Sequence, residues 1–191
     1  KVKSKATADR RSAVKDEILE QEVHKVQILD PATGTGTFLA EVIRHIHKRF
    51  ENQAGIWPKY VENDLLPRLN GFELLMTSYA MAHLQLDILL TETGFTNPNK
   101  KRFKVFLTNS LEEAVDSEFN LFSQWLSQEA NEANAIKREA PVMVVIGNPP
   151  YSGESQNKGE WIMNLMEDYK KEPGGKEKLK EQNSKFVNDD Y

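Results

Sequence analysis

Four apolar runs, each followed by a stretch with helical spacing of apolar residues, organise this chain. The runs are residues 26–30, 69–73, 103–108 and 142–147. Helical patterns follow at 38–50, 74–93, 112–139 and 160–169. Strands that alternate with helices form parallel sheets with right-handed crossovers. The pattern therefore predicts an α/β fold built on a doubly wound, mostly parallel sheet.

The remaining segments divide the chain into three parts. A weak amphipathic pattern from Ser12 to His24 predicts a lead-in helix within residues 1–25. Residues 26–160 form the main domain, in which 53–67 are expected to be an ordered excursion over the surface. Residues 161–191 are expected to be a helix and a charged tail. One apolar stripe after the second strand is predicted to be core, and it comprises Leu74, Leu75, Met81, Leu84, Leu86, Ile88 and Leu89.

Composition narrows the classes of function. The 191 residues are 39% hydrophobic and 28% charged, which suits one soluble domain or a piece of a larger one. The absence of cysteine excludes disulfides and thiolate metal sites, and the four histidines lack ligand spacing, so we expect no metal. No apolar run reaches the ~20 residues of a membrane span, and we expect a cytoplasmic protein. The net charge of −4 means that any nucleic-acid contact must be local or lie outside this segment.

A glycine loop between the first strand and its helix is a candidate ligand cradle. Asp30 closes the strand, and Gly34 and Gly36 lie in the loop that follows. The third glycine of a dinucleotide fingerprint is replaced by Leu39, and the lysine of a phosphate-binding loop is missing. A nucleoside that carries a carboxylate, such as S-adenosylmethionine, fits a loop with an acid on one side and N–H donors on the other. A plain glycine turn between strand and helix is the alternative.

The last apolar run ends in Asn148-Pro149-Pro150-Tyr151. The run is typical of a buried parallel strand, and two prolines stiffen its carboxyl end. Asn148 and the Pro149 carbonyl can then act as two acceptors beside the aromatic plate of Tyr151. This set suits a flat ring with an amino group, such as an adenine drawn out of a duplex. The alternative is a strand closed by a Pro-Pro turn.

Polar residues close all four predicted strands. They are Asp30, Glu73, Asn109 and Asn148. A parallel sheet gathers the carboxyl ends of its strands along one edge, where α/β folds bind ligands. Glu73 could accept from both hydroxyls of a ribose, or it could simply be an acid at a helix N-terminus. The convergence predicts one site at this edge.

Two of these motifs carry a resemblance. Residues 30–39, DPATGTGTFL, resemble motif I of adenine-specific DNA methyltransferases, and Asn148-Pro149-Pro150-Tyr151 is similar to their catalytic motif IV. Gly71-Phe72-Glu73-Leu74 resembles motif II, and the motif order matches the gamma class. Residues 72–86 and 148–155 look like single-polypeptide restriction–modification enzymes that join nuclease, helicase and methyltransferase. The resemblance implies a Rossmann-like, S-adenosylmethionine-dependent methyltransferase fold, incomplete in this segment.

The resemblance also implies residue roles. Asn148 and the Pro149 carbonyl would accept from the target amino group, with Pro150 stiffening the turn and Tyr151 stacking on the flipped base. Glu73 would hold the ribose of S-adenosylmethionine, and Asn109 falls where the family commonly has an adenine-contacting Asp. The remaining positions expected at the cofactor are Asp30, Pro31, Ala32, Thr33, Gly34, Gly36, Phe38 and Ser110.

Other amino-methyltransferases keep the same catalytic tetrapeptide. Enzymes that methylate a protein glutamine, and some that methylate RNA guanine, are alternatives, although they place motifs I and IV closer together. A catalytically silent cofactor-binding module is a further one. An N-terminal Phe-x-Thr-Pro motif is missing from the sequence. We therefore expect double-stranded DNA to be held mainly by other parts of a parent chain, with this segment inactive alone and able to self-associate.

Overall fold

The computed structural model describes residues 2–6, 19–97, 101–112, 124–150 and 158–171. Strands β1 (Val2–Ala6) and β2 (Leu19–Val23) form an antiparallel ribbon. The other four described strands form a parallel sheet in the order β5-β4-β3-β6. Their bounds are β3 (Gln27–Asp30), β4 (Leu69–Glu73), β5 (Lys104–Leu107) and β6 (Val142–Val145).

Helices lie on both faces of the parallel sheet. α1 (Thr37–His47) follows β3 and α3 (Met76–Glu92) follows β4, and both pack in the larger core. α4 (Gln124–Glu139) joins β5 to β6 and packs through Ala133 against Phe72 and Phe106 on the opposite face. α5 (Glu160–Tyr169) follows β6. The predicted α/β class with its parallel sheet is confirmed.

The predicted lead-in helix is wrong where the structure describes that segment. Residues 19–23 form β2 instead of continuing a helix from Ser12. In the sequence of this strand, Leu19, Gln21 and Val23 alternate with Glu20 and Glu22. This alternation with a period of two favours an antiparallel partner, which β1 supplies. Residues 7–18 lie outside the described part of the chain.

The segment 53–67 is not only an excursion over the surface, because its part from Trp57 onward contributes to the core, whereas residues 53–56 are exposed. Helical turns run from Ala54 to Arg68 and include the short helix α2 (Trp57–Tyr60). Trp57, Val61 and Leu65 are fully buried. These three residues are spaced by four, so successive helical turns place them on one face. The prolines had suggested a loop, but here Pro58 and Pro67 lie in the first turns of short helices, where proline is tolerated.

Only two of the seven residues of the predicted core stripe after β4 are buried. Leu86 and Leu89 are buried, whereas Leu84 and Ile88 are about half exposed, at 52% and 49%. α3 carries apolar residues around its whole circumference, and only one side can face the sheet. Leu74, Leu75 and Met81 are exposed as well.

The two outer strands of the sheet, β5 and β6, differ in whether side chains bond the backbone groups on their free edges. On β5, the Leu107 N–H donates to Glu129 Oε1 at 2.8 Å, and the Val105 carbonyl accepts from His83 and Arg102. Arg102 also forms an ion pair with Glu129, which is 1% exposed. These side chains cap an edge that could otherwise pair with another chain.

β6 has no such cover among the described residues. It pairs with β3 alone, and Met143 and Val145 are 61% and 66% exposed. The apolar run had predicted a strand buried on both sides. That expectation is wrong here, because the described residues place neither a neighbouring strand beyond β6 nor a helix over Val145.

Candidate functional site

The loop after β3 contains two glycines, Gly34 and Gly36, that are needed for different reasons. Gly34 and Gly36 have φ of 56° and 89°, which favour glycine, and Gly36 is the N-cap of α1. A Cβ on Gly36 would lie 3.3 Å from the Cα of Ala82, so this glycine lets α1 and α3 pack closely. A Cβ on Gly34 would meet nothing within 4 Å. Gly34 therefore borders open space, where a ligand can approach the backbone.

Thr33 fastens this loop to the neighbouring strand. Its N–H donates to the Phe72 carbonyl at 2.9 Å, and its Oγ1 donates to the Asp30 carbonyl at 3.0 Å. A Cβ on Gly71 would lie 2.5 Å from that Oγ1, so β4 needs a glycine where Thr33 crosses it. Gly71 was not singled out from the sequence for this role. A glycine inside a strand was the available signal, because it often marks close approach of another backbone segment.

Glu73 joins the loop to the next helix. Its Oε2 accepts from the Gly34 N–H at 2.7 Å, and its Oε1 accepts from the Leu75 N–H at 2.8 Å. The carboxylate thus serves the start of α3, as the alternative had it, and also holds the glycine loop. Each carboxylate oxygen has a second lone pair, so both can accept one more hydrogen bond. Glu73 is 9% exposed and remains a candidate ribose ligand.

Asp30 is the fully buried acid of the site. Its Oδ1 accepts from the Ala32 N–H at 3.2 Å, and its Oδ2 has no hydrogen-bond partner. Burial raises the pKa of Asp30 to about 6; the Ala32 N–H opposes this rise and the nearby charge of Glu73 adds to it. An unpaired carboxylate oxygen in such a place suits a cationic group of a ligand.

Asp30 also lies against the segment that leads to Asn148-Pro149-Pro150-Tyr151. A Cβ on Gly147 would lie 2.7 Å from Asp30 Oδ1, so only glycine leaves room for this carboxyl at the end of β6. The Ile146 N–H donates to the Leu29 carbonyl at 2.9 Å. This hydrogen bond continues the pairing of the two segments past the last residue of β6. Sequence reasoning missed Gly147 as a site residue, although a glycine that ends an apolar strand was a visible signal.

The turn after β5 brings Asn109 and Ser110 to the same edge. The Thr108 N–H donates to the Glu73 carbonyl at 2.9 Å. Asn109 Oδ1 accepts from the Leu111 N–H at 3.0 Å, which forms an Asx turn. Asn109 Nδ2 donates to Glu112 Oε1 at 3.2 Å. Ser110 lies on the wall of a cleft of about 820 Å³, together with Pro31.

The structure therefore gathers most of the predicted residues at one edge of the sheet. Asn148 and Pro150 are exposed and Pro149 is half-buried at the end of β6. Phe38 is half-buried in the first turn of α1. Tyr151 lies outside the described residues. Residues that contact one another across elements are Gly34 with Glu73, Asp30 with Gly147, and Glu73 with Thr108.

Other classes of site find no support in the described part of the chain. It contains no group of three or more His, Cys, Asp or Glu side chains that could hold a metal ion. None of its helices is long and apolar enough to cross a membrane.

This fold and edge geometry define an α/β domain of the methyltransferase type. The chain belongs to the family of the MmeI DNA-methyltransferase domain, whose model matches residues 5–179. No curated protein matches the chain.

Solved structures with the same fold include two Type ISP restriction–modification enzymes. A nuclease-deletion mutant of the Type ISP enzyme LlaGI, in complex with a DNA substrate mimic, aligns with a TM-score of 0.63 at 22% identity over 87% of this chain. The ATP-dependent Type ISP enzyme LlaBIII bound to DNA aligns over 88%, with a TM-score of 0.59 and 21% identity. The DrdV–DNA complex aligns over 87%, with a TM-score of 0.51 and 25% identity.

This chain spans only a small part of those chains: 14% of the LlaGI chain, 11% of the LlaBIII chain and 16% of the DrdV chain. The predicted resemblance to the methyltransferase part of single-polypeptide restriction–modification enzymes is confirmed. The chain is a DNA-methyltransferase domain.

Proposed function

We propose that this domain transfers a methyl group from S-adenosylmethionine to the exocyclic amino group of an adenine in DNA. The observation that carries the proposal is the contact between Asp30, which closes β3 just before the glycine loop, and Gly147, immediately before Asn148. A cofactor held by that loop and a base held by Asn148 would thus be neighbours. The tetrapeptide Asn148-Pro149-Pro150-Tyr151 supplies the amide, the carbonyl and the aromatic ring that an amino-bearing base requires.

The residues of the loop fit S-adenosylmethionine, which supplies an electrophilic methyl group when bound. Gly34 borders open space, so the backbone can be approached closely. Asp30 Oδ2 is buried without a partner and suits the ammonium group of the methionine part. Glu73 keeps two lone pairs that the ribose hydroxyls could use, and Asn109 and Ser110 would meet the adenine. Pro31, Ala32, Thr33, Gly36 and Phe38 shape the loop and the start of α1.

The catalytic role of the tetrapeptide follows from charge development. Asn148 Oδ1 and the Pro149 carbonyl accept from the amino group and orient its lone pair. These bonds strengthen as the nitrogen becomes cationic, so they stabilise the transition state more than the ground state. Tyr151 holds the flipped base by stacking, at about 1–3 kcal/mol per base. Double-stranded DNA is held largely by other parts of a larger enzyme, since this chain carries a net charge of −4.

The LlaGI and LlaBIII relatives are restriction–modification enzymes in complex with DNA or a DNA mimic. We extend that setting to this chain, whose parent would carry nuclease and helicase parts. Transfer to a protein glutamine or to RNA remains the competing activity, because the same tetrapeptide suits any amide or amino nitrogen.

The test is single-turnover methylation by the parent enzyme on DNA, RNA and protein substrates. Asn148→Ala should lower the rate at least about a hundredfold while cofactor affinity stays unchanged. Tyr151→Ala should weaken DNA binding, and Tyr151→Phe should retain most of the activity. Methylation of DNA by Asn148→Ala at the parental rate would refute the catalytic assignment. Equal loss of melting temperature and activity in both alanine variants would indicate a structural turn instead.

A further inference from the structure

Lys137 on α4 is a polar side chain of the site edge that the proposed chemistry does not use. Its ammonium group donates to Asn109 O at 2.6 Å, to Thr108 Oγ1 at 3.2 Å and to Glu112 O at 3.4 Å. An ammonium has three N–H donors, and here three acceptors surround it. All three acceptors belong to the turn that follows β5.

The surroundings of Lys137 make these contacts strong. Burial lowers the pKa of Lys137, and the charge of Glu112 opposes this effect. A partly desolvated ammonium has lost water as a hydrogen-bond partner, so it depends on the turn, and the turn depends on it. Its Nζ lies 5.6 Å from the centre of the Phe72 ring, a cation–π contact that keeps it on the sheet side of α4.

The turn held by Lys137 is the one that carries Asn109 and Ser110. Within it, the Leu111 and Glu112 N–H groups are bonded to Asn109, at 3.0 Å to Oδ1 and at 3.3 Å to O. Asn109 O therefore accepts from both Glu112 and Lys137. Without the ammonium, Asn109 O and Glu112 O lose a charged donor.

We infer that Lys137 is a positioning residue that fixes the Asn109–Glu112 turn for the nucleoside half of the cofactor. The inference rests on the proposed function, since it takes Asn109 and Ser110 as adenine contacts. Lys137 itself need not touch the cofactor. It acts by removing the cost of ordering the turn when the ligand binds.

Lys104 offers a matched control on β5, the strand that precedes the turn held by Lys137. It is also partly buried with a lowered pKa caused by burial, and its Nζ donates to the Pro67 carbonyl at 3.0 Å. It lies at the opposite, amino end of β5, away from the turn. Lys104→Met therefore imposes a similar loss of a buried ammonium without touching the candidate cofactor site.

The experiment compares wild type, Lys137→Met, Lys137→Arg and Lys104→Met by calorimetric binding of S-adenosylmethionine, methylthioadenosine and methionine. Lys137→Met should raise the Kd of S-adenosylmethionine and of methylthioadenosine about tenfold each, because both contain the nucleoside, and leave that of methionine unchanged. Lys104→Met should change each Kd less than about twofold, and Lys137→Arg should restore most of the affinity. Amide hydrogen exchange at Leu111 and Glu112 should accelerate in Lys137→Met without ligand.

Several outcomes overturn the inference, and they differ from failure of the proposed function. Unchanged affinity and exchange in Lys137→Met, with wild type binding S-adenosylmethionine, would overturn the positioning role alone. Equal weakening of methionine, or an equal effect of Lys104→Met, would indicate general destabilisation and also overturn it. Failure of wild type to bind S-adenosylmethionine would overturn the proposed function and the inference with it. If Lys137→Met does not fold, Lys137→Arg decides. Faster exchange at Leu111 and Glu112 with unchanged nucleoside affinity would overturn the inference, whereas nucleoside affinity that follows the protection of these two amides supports it.

Discussion

Replacing Asp30 by Asn should stabilise this domain and weaken its cofactor binding at the same time. Asp30 is buried, and one of its two carboxyl oxygens has no partner. An Asn side chain can keep the hydrogen bond from the Ala32 N–H through its own oxygen. The amide nitrogen would take the place of the unpartnered oxygen, so no existing hydrogen bond is lost.

The magnitude follows from the pKa of Asp30, which rises from 3.8 to about 6 in the folded chain. The folded state therefore holds the proton more tightly than the unfolded chain does. Stability falls as pH rises between these two values, and ionisation costs the folded state up to about 3 kcal/mol above them. Asp30→Asn cannot ionise and avoids that loss. The variant should gain up to about 3 kcal/mol over wild type at pH 7.5 and almost nothing at pH 4.

Urea unfolding followed by circular dichroism from pH 4 to pH 8 measures this difference. Asp87→Asn is the control, because Asp87 is exposed on α3 and should leave the pH dependence as it is in wild type. S-adenosylmethionine binding by Asp30→Asn should weaken at least about tenfold, since the charged partner of the ligand ammonium is gone. A stability difference that does not vary with pH, or a loss of stability at pH 7.5, would refute the reasoning about Asp30.

Two further predictions concern the glycine loop and the open sheet edge. Gly34→Ala should weaken S-adenosylmethionine binding about tenfold or more, because its methyl group would occupy the open space in which the ligand approaches the backbone. The left-handed conformation of this residue should also lower the stability of the folded state by about 1–2 kcal/mol when it is alanine. Gly36→Ala should lower the melting temperature more than Gly34→Ala does, because its methyl would meet Ala82. Equal S-adenosylmethionine affinity of Gly34→Ala and wild type would contradict this account. The isolated chain should self-associate through β6, as sedimentation would detect, and Val145→Lys should reduce association whereas Ile56→Lys, at a similarly exposed apolar residue, should not. A monomer at all concentrations would rule out the edge as an interface.

The sequence alone determined where the four parallel strands lie along the chain and which polar residues follow each of them. Apolar runs such as 142–147 and the helical stripes after them are local patterns, and parallel strands must place their carboxyl ends together. The glycine loop and the Asn148 tetrapeptide were therefore expected at one edge before any contact was known. The predicted strand from 69 to 73 matches β4 residue for residue.

Only the tertiary structure decided which partners the other residues meet. Leu84 and Leu86 have the same side chain, yet one is exposed and the other buried, because α3 turns only one face to the sheet. Gly71 and Gly147 matter through their contacts with Thr33 and Asp30, which belong to the loop after β3 and to the end of β3. Lys137 reaches its turn from a helix more than twenty residues further along the chain. Periodicity describes one segment at a time, whereas these roles depend on distances between segments that only packing sets.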